Sequence, residues 1–84
     1  MTWRAFEVWR SSLGKLRRYR CAEALDGSGF VVVTMDFVSA NDSAERHAHQ
    51  ESYYLEQLLA VDELEKYPSL VAAIDRHDAN FENE

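Results

Sequence analysis

The sequence predicts an α+β domain of two layers: a three-stranded antiparallel meander, followed by one long and one short helix packed on one sheet face. Two patterns predict this class. The first half is rich in β-branched and aromatic residues separated by turn-forming stretches, and after Ala40 the apolar residues recur at helical spacing. A chain of 84 residues that is 46% hydrophobic has enough core formers for one domain and is too short for two.

The clearest element is a β-hairpin whose turn lies at residues 26–29. The run Phe-Val-Val-Val-Thr-Met-Asp-Phe-Val-Ser follows the turn-forming sequence Asp-Gly-Ser-Gly. A three-residue loop of this composition pairs Asp26 with Phe30. That register places Arg20 opposite Asp36 on one face and turns a mostly apolar face, interrupted by Glu23, toward the core. The other core-face residues are Tyr19, Cys21, Leu25, Val31, Val33, Met35 and Phe37.

Residues 3–12 fit two interpretations. Apolar residues recur at helical spacing, but the same segment also reads as a strand followed by a turn. We favour the strand, because an isolated two-stranded hairpin is marginal in water and the glycine at the end of the segment suits a turn better than a helix. A four-residue loop at 11–14 then pairs Phe6 with Tyr19 and brings Phe6 and Val8 to the core face.

The second half predicts two helices. Asp42 and Glu45 resemble a capping box, so the long helix should begin at Ser43 and end near Lys66, just before Pro68. Its predicted buried stripe comprises Ala44, Ala48, Leu55, Leu58, Leu59 and Leu64. A short helix should then run from Ser69 to about His77, burying Leu70, Ala73 and Ile74. We assign residues 1–78 to a single domain and residues 79–84 to an acidic flexible tail.

The charges are divided unevenly along the chain. Residues 1–20 carry a net charge of +5 and the remainder −11, giving −6 overall, which opposes non-specific binding to nucleic acid or anionic membranes. The longest uncharged stretch, residues 27–35, is too short to span a membrane. A single cysteine, Cys21, excludes an intramolecular disulfide and fits a reducing compartment. We therefore expect a soluble, cytoplasmic protein.

The sheet face turned away from the helices carries the candidate site. It should present Trp3 and Trp9 beside Arg18 and Arg20, residue types enriched at the centres of protein interfaces. Exposed apolar patches of this kind generally mark partner sites. Tyr53 and Tyr54 on the long helix are secondary candidates, since only one of two adjacent side chains can fully enter the core. The competing interpretation is that both tryptophans are core residues, because the first segment is helical or the register is shifted by one.

These features favour a small non-enzymatic protein–protein interaction module, acting as an adaptor, regulator or inhibitor. Its partner would be another protein or a second copy of itself. A first alternative is nucleic-acid binding by the basic hairpin, which the net negative charge weakens. A further alternative is an acidic DNA mimic or nuclease inhibitor of phage or plasmid type, which would use the carboxylates of the helices. The competing interpretation of these carboxylates is an ordinary solvated helix face.

No catalytic residue, metal ligand or cofactor is predicted. His47 and Glu51 have the spacing that would let two helical side chains reach one metal ion, but His47 and His49 diverge around the helix. The chain contains no Gly-x-Ser-x-Gly sequence, and Cys21 falls on the predicted core face. We therefore predict that the protein is not an enzyme.

Overall fold

The computed structural model describes residues 1–82 and contains three strands and two helices. In chain order they are β1 (Trp3–Ser12), β2 (Lys15–Ala24), β3 (Phe30–Val38), α1 (Ala44–Leu59), a 3₁₀ turn (Val61–Glu63) and α2 (Leu70–Glu82). The strands form one antiparallel sheet in the order β1-β2-β3. The α+β class and the order of elements are confirmed, and residues 3–12 are a strand. None of the helices in residues 1–82 is long and apolar enough to cross a membrane.

The β1–β2 hairpin has a tighter turn than the sequence predicted. Leu13 and Gly14 form a two-residue loop with φ values of 52° and 75°, the left-handed pair that a type I′ hairpin turn requires. Phe6 therefore lies opposite Cys21, and the predicted pairing with Tyr19 is wrong by two residues. A shift of two residues keeps every side chain on its predicted face, because side chains alternate with a period of two.

The β2–β3 ladder contains a bulge that the sequence analysis did not anticipate. Asp36 pairs with Arg18 and not with Arg20, and Phe30 pairs with Glu23 and not with Asp26, so both predicted pairings are wrong. The register also shifts between Arg20 and Cys21. The inserted residue on β3 reverses the alternation, so Val31 and Val33 lie on the face opposite to Cys21. Their predicted place on the same core face as Cys21 is wrong.

The two helices pack on opposite faces of the sheet. Tyr54 of α1 lies over the guanidinium of Arg20, whereas Ile74 of α2 packs on Tyr19 and Cys21. Because successive side chains of β2 point to opposite sides, these contacts place one helix on each side. We call them the α1 face and the α2 face. The prediction that both helices share one face is wrong, and the molecule has three layers.

Each face has its own core. On the α1 face, Ala22, Val31, Val33 and Val61 are buried against Trp3, Tyr54, Leu58 and Leu64. On the α2 face, Tyr19, Cys21 and Ile74 are buried against Phe6, Val8, Val32, Met35 and Leu70. Both sides of β3 are therefore covered, which accounts for its apolar run from Phe30 to Val33.

The chain passes from one face to the other around the outer edge of β3. There Tyr67 and Phe30 exchange two backbone hydrogen bonds of 2.9 Å and form an isolated antiparallel bridge. Gly29 permits this approach, because a Cβ atom at that position would lie 2.6 Å from the carbonyl oxygen of Tyr67. Helix α1 ends at Leu59, before this crossing, so its predicted extension to Lys66 is wrong.

Helix α1 begins close to where the sequence predicted but buries a different stripe. Its N-cap is Ser43, whose hydroxyl accepts a hydrogen bond from the Arg46 N–H at 3.1 Å. Gln50 is buried, and Tyr54 and Leu58 are half-buried. Four members of the predicted buried stripe are exposed instead: Ala44, Ala48, Leu55 and Leu59. The face of α1 that packs on the sheet is therefore the one that carries Gln50 and Tyr54, not the predicted stripe.

Helix α2 is longer than predicted. It continues through Glu82, and Phe81 packs against Phe37 with ring centroids 6.1 Å apart. The assignment of residues 79–82 to a flexible tail is therefore wrong. The last two residues of the predicted tail lie outside the described residues.

Candidate interaction surface

Trp3 and Trp9 share one sheet face as predicted, but this is the α1 face and the two side chains differ in accessibility. Trp3 packs against the α1-face core, and its indole N–H donates a 2.7 Å hydrogen bond to Asp62. The ammonium of Lys66 lies 5.8 Å from its ring centroid. Trp9 is 50% exposed, with the guanidinium carbon of Arg18 5.9 Å from its ring centroid. Only Trp9 presents a large free surface to a partner.

Arg18 and Arg20 lie beneath α1, so the prediction that helices leave their face uncovered is wrong. Arg18 contacts Asp36 at 3.2 Å and the side-chain oxygen of Gln50 at 3.4 Å. Arg20 is only 4% exposed and forms an ion pair with Glu51 on α1. These guanidinium groups join the helix to the sheet and are occupied within the chain.

The Arg20–Glu51 contact shifts both titrations. The hydrogen bond to Glu51 is the main reason that the pKa of Arg20 lies above its ordinary value. The same bond lowers the pKa of Glu51 below its ordinary range. A carboxylate of Glu7 also lies 3.8 Å from the Arg20 guanidinium. The pair is therefore charged throughout the neutral pH range.

Tyr53 and Tyr54 occupy different environments. Tyr54 is half-buried, and the guanidinium carbon of Arg20 lies 4.6 Å from its ring centroid. Tyr53 is 50% exposed. Of the six candidate residues, Trp9 and Tyr53 are the two that remain exposed. They stand on separate elements, β1 and α1.

A second feature, the free edge of β1, was not identified from the sequence. The N–H of Leu25 donates to the carbonyl of Thr2 at 3.0 Å, which shows that Thr2 directs its backbone groups toward β2. Because these directions alternate along an antiparallel strand, the even-numbered residues of β1 bond to β2 and the odd-numbered ones point outward. The outward residues are Trp3, Ala5, Glu7, Trp9 and Ser11.

These outward backbone groups have no hydrogen-bond partner among residues 1–82. The opposite edge of the sheet is different. On β3, Tyr67 satisfies both backbone groups of Phe30, and the Arg46 side chain donates to the carbonyl of Phe37 at 3.1 Å. The bulge at Val33 interrupts the edge between these two contacts. The protein thus covers one sheet edge at both of its ends and leaves the other edge open along its length.

The charged side chains of β1 are neutralised by other parts of the chain. Arg4 contacts Glu23 at 2.9 Å, and Arg10 contacts Asp78 at 2.7 Å. Glu7 faces the Arg20 guanidinium. Edge strands commonly use unpaired charges to repel other strands. On β1 these charges are compensated, so they oppose strand addition less.

Asp78 is the buried polar residue that sequence reasoning missed. Its carboxylate accepts the Tyr19 hydroxyl at 2.8 Å and also faces Arg10 and Arg17. Burial, and then the hydrogen bond to Asp78, raise the pKa of Tyr19 above its ordinary value. These contacts join α2 to β1 and β2. No local sequence signal marks the cluster, because the residues that contact Asp78 from the sheet are at least 59 positions away from it in the sequence.

The cysteine thiol and the histidines lie in different environments. Cys21 is fully buried, and burial raises its pKa to about 11, so little reactive thiolate forms near neutral pH. Within residues 1–82 no group of three or more His, Cys, Asp or Glu side chains could hold a metal ion. His47 and His49 are exposed on α1.

Comparisons with family models, curated proteins and solved structures find no match to this chain. The candidate surface is therefore defined by its own geometry: the open edge of β1 with Trp9 beside it.

Proposed function

We propose that this protein is a small non-enzymatic protein–protein interaction module, which binds its partner by strand addition at the β1 edge. Trp9 is the anchoring side chain. The observation that supports this most directly is the contrast between the two sheet edges, since β3 is covered at its two ends by Tyr67 and Arg46 while the 10-residue β1 is uncovered throughout. An open edge of this length is a template for another strand.

The two parts of this surface have different tasks. The outward N–H and C=O groups of β1 supply main-chain hydrogen bonds, which provide affinity without selecting a sequence. The half-exposed Trp9 supplies a large rigid apolar contact, and tryptophan is enriched among residues that dominate binding energy. We also propose a cytoplasmic location, because the single thiol, Cys21, is buried and free.

The nucleic-acid alternative has less support. The basic hairpin contributes four cations from β2: Lys15, Arg17, Arg18 and Arg20. The three arginines face carboxylates of the same chain. Few are then available to replace counterions on phosphate. The acidic alternative rests on exposed carboxylates of α1, and Glu51 among them is engaged by Arg20.

The test uses a photoreactive phenylalanine analogue in place of Ser11, an exposed residue of the same β1 edge, so that Trp9 is kept. The protein is expressed in the cells from which it comes. Adducts are compared between the otherwise unaltered chain and chains that also carry Ala5→Pro or Ala5→Val. Proline at Ala5 removes an outward N–H without removing a β1–β2 hydrogen bond, and valine keeps that N–H.

We expect discrete adducts with the unaltered edge and with Ala5→Val, and their loss with Ala5→Pro. The same probe at Val71, an exposed position on α2, serves as the positional control and should give none of these adducts. Adducts that persist in Ala5→Pro, or that form equally from Val71, would refute binding at the β1 edge.

A further inference from the structure

Building on the proposed function, we propose that the partner of the β1 edge is a second copy of this chain. The two β1 strands pair antiparallel across a two-fold axis that passes beside Phe6. Two three-stranded sheets then join into one continuous sheet, with both α1 helices on one side and both α2 helices on the other. Three observations support the proposal: the outward backbone groups of β1 all belong to odd-numbered residues, the charges of β1 limit the possible registers, and the ends of the β3 edge are covered.

The odd-numbered residues of β1, whose backbone groups point outward, can pair with the same residues of a second copy. A two-fold axis perpendicular to the sheet keeps each face on its own side, and it brings odd-numbered residues opposite odd-numbered residues. These are the residues whose N–H and C=O groups point outward, so every unpaired donor can meet an unpaired acceptor of the other copy. Pairing also leaves only the two β3 edges at the ends of the joined sheet, and Tyr67 and Arg46 cover the two ends of each.

Side-chain charge excludes one of the central registers. An axis beside Glu7 would place Glu7 opposite its own copy and Arg4 opposite Arg10 of the other copy. Like charges directly opposite each other are destabilising on a sheet. An axis beside Val8 avoids these pairs but leaves Trp3 beyond the paired segment, since its opposite position would fall in the hairpin loop.

The register centred on Phe6 has neither defect. It sets Trp3 of each copy opposite Trp9 of the other on the α1 face, and aromatic cross-strand pairs are stabilising. Ala5 lies opposite Glu7, and Phe6 meets its copy. The Trp3–Trp9 and Ala5–Glu7 pairs each occur twice across the axis. These four pairs provide about eight inter-chain hydrogen bonds, two for each pair. The half-buried Trp3 and half-exposed Trp9 thereby share one interface.

The first measurement is the mass in solution by sedimentation equilibrium. We expect the unaltered chain and Ala5→Val to sediment as dimers, at twice the chain mass of 9.7 kDa, and Ala5→Pro as a monomer. Circular dichroism verifies that each variant is folded. A folded, unaltered chain that stays monomeric at millimolar concentration would overturn the proposal, and so would an Ala5→Pro variant that remains a dimer.

The second measurement determines the register. Leu13→Cys places a nitroxide spin label on the exposed hairpin loop, and the buried Cys21 stays unlabelled. At about 3.4 Å per residue, the axis beside Phe6 separates the two labels by about 48 Å, whereas an axis beside Val8 gives about 34 Å. A dipolar distance near the longer value supports the proposal, and a distance near the shorter one overturns its register.

The outcome also separates self-pairing from the proposed function. If the chain is monomeric but the photoprobe at Ser11 still forms Ala5→Pro-sensitive adducts with a different protein, self-pairing is wrong and strand addition at β1 stands. If the chain is monomeric and no such adduct forms, both are wrong.

Discussion

Removing the exposed member of the Arg20–Glu51 ion pair should destabilise the protein more than removing its buried member. Arg20 is 4% exposed, lies under the ring of Tyr54 and has Glu51 as its hydrogen-bonded partner. The side chain of Glu51 is 56% exposed. Removing Glu51 therefore leaves a buried charge without its partner, whereas removing Arg20 leaves a charge that solvent can hydrate.

The structure sets the size of each effect. In Glu51→Ala the Arg20 guanidinium stays buried, with only the Glu7 carboxylate at 3.8 Å to compensate it, and a buried charged donor left unpaired costs about 1–3 kcal/mol. In Arg20→Met the aliphatic stem still packs under Tyr54, and Glu51 is hydrated by solvent. We expect this variant to lose about 1 kcal/mol or less, mainly from the lost cation–π contact.

Urea unfolding followed by circular dichroism measures both variants. Glu56→Ala, at an exposed position on the same helix, is the matched control and should change the free energy of unfolding by no more than about 0.5 kcal/mol. If Arg20→Met were the more destabilising of the two, the desolvation argument would be refuted.

The pH dependence gives a second measure of the same pair. The pKa of Glu51 lies below its ordinary value of 4.5 because Arg20 donates a hydrogen bond to it. Its contribution to stability is therefore complete above that ordinary value and is lost as the pH falls through the lower, folded-state pKa. The stability difference between the unaltered protein and Glu51→Gln should be constant at neutral pH and shrink below pH 4.5. An equal difference in acid and at neutral pH would contradict this assignment.

Three further predictions concern the turns and the thiol. Leu13→Asn should raise the free energy of unfolding by about 0.5–1 kcal/mol, because Leu13 has a φ of 52° and asparagine tolerates that conformation better; an unchanged thermal midpoint would count against it. Gly29→Ala should cost more than about 2 kcal/mol and Gly27→Ala only about 1 kcal/mol, because both have positive φ but only Gly29 would contact the Tyr67 carbonyl; equal losses in urea would show that this contact is unimportant. Cys21, with its pKa raised to about 11, should react with an aromatic disulfide reagent only as fast as the protein opens, and rapid modification of the folded protein at mildly alkaline pH would disprove its burial.

Part of the candidate surface followed from the sequence. The alternation of β1 correctly placed Trp3, Trp9, Arg18 and Arg20 on one face, and a two-residue error in register left that result unchanged. What covers the face did not follow. Helix α1 lies over Arg18 and Arg20, so Trp9 alone keeps a large exposed surface on the sheet. The open edge of β1 could be recognised only once the strand order was known.

One sequence signal for the three-layer arrangement was present. The run from Phe30 to Val33 is apolar without alternation, which is typical of a strand buried on both faces. Read that way, it places a helix on each side of the sheet. The bulge at Val33 has no comparable signal, because it depends on which residues of β2 lie opposite.

The sequence by itself determined the local elements: a turn near residues 26–29, the strand that follows it and a helix predicted from Ser43, one residue before the observed start at Ala44. These depend on interactions between near neighbours, such as turn propensity, β-branching and helix capping. Only the tertiary structure decided which face each helix covers and which sheet edge stays open. Those outcomes depend on contacts such as Tyr67 with Phe30 and Glu51 with Arg20, whose partners are brought together by the packing of the whole chain.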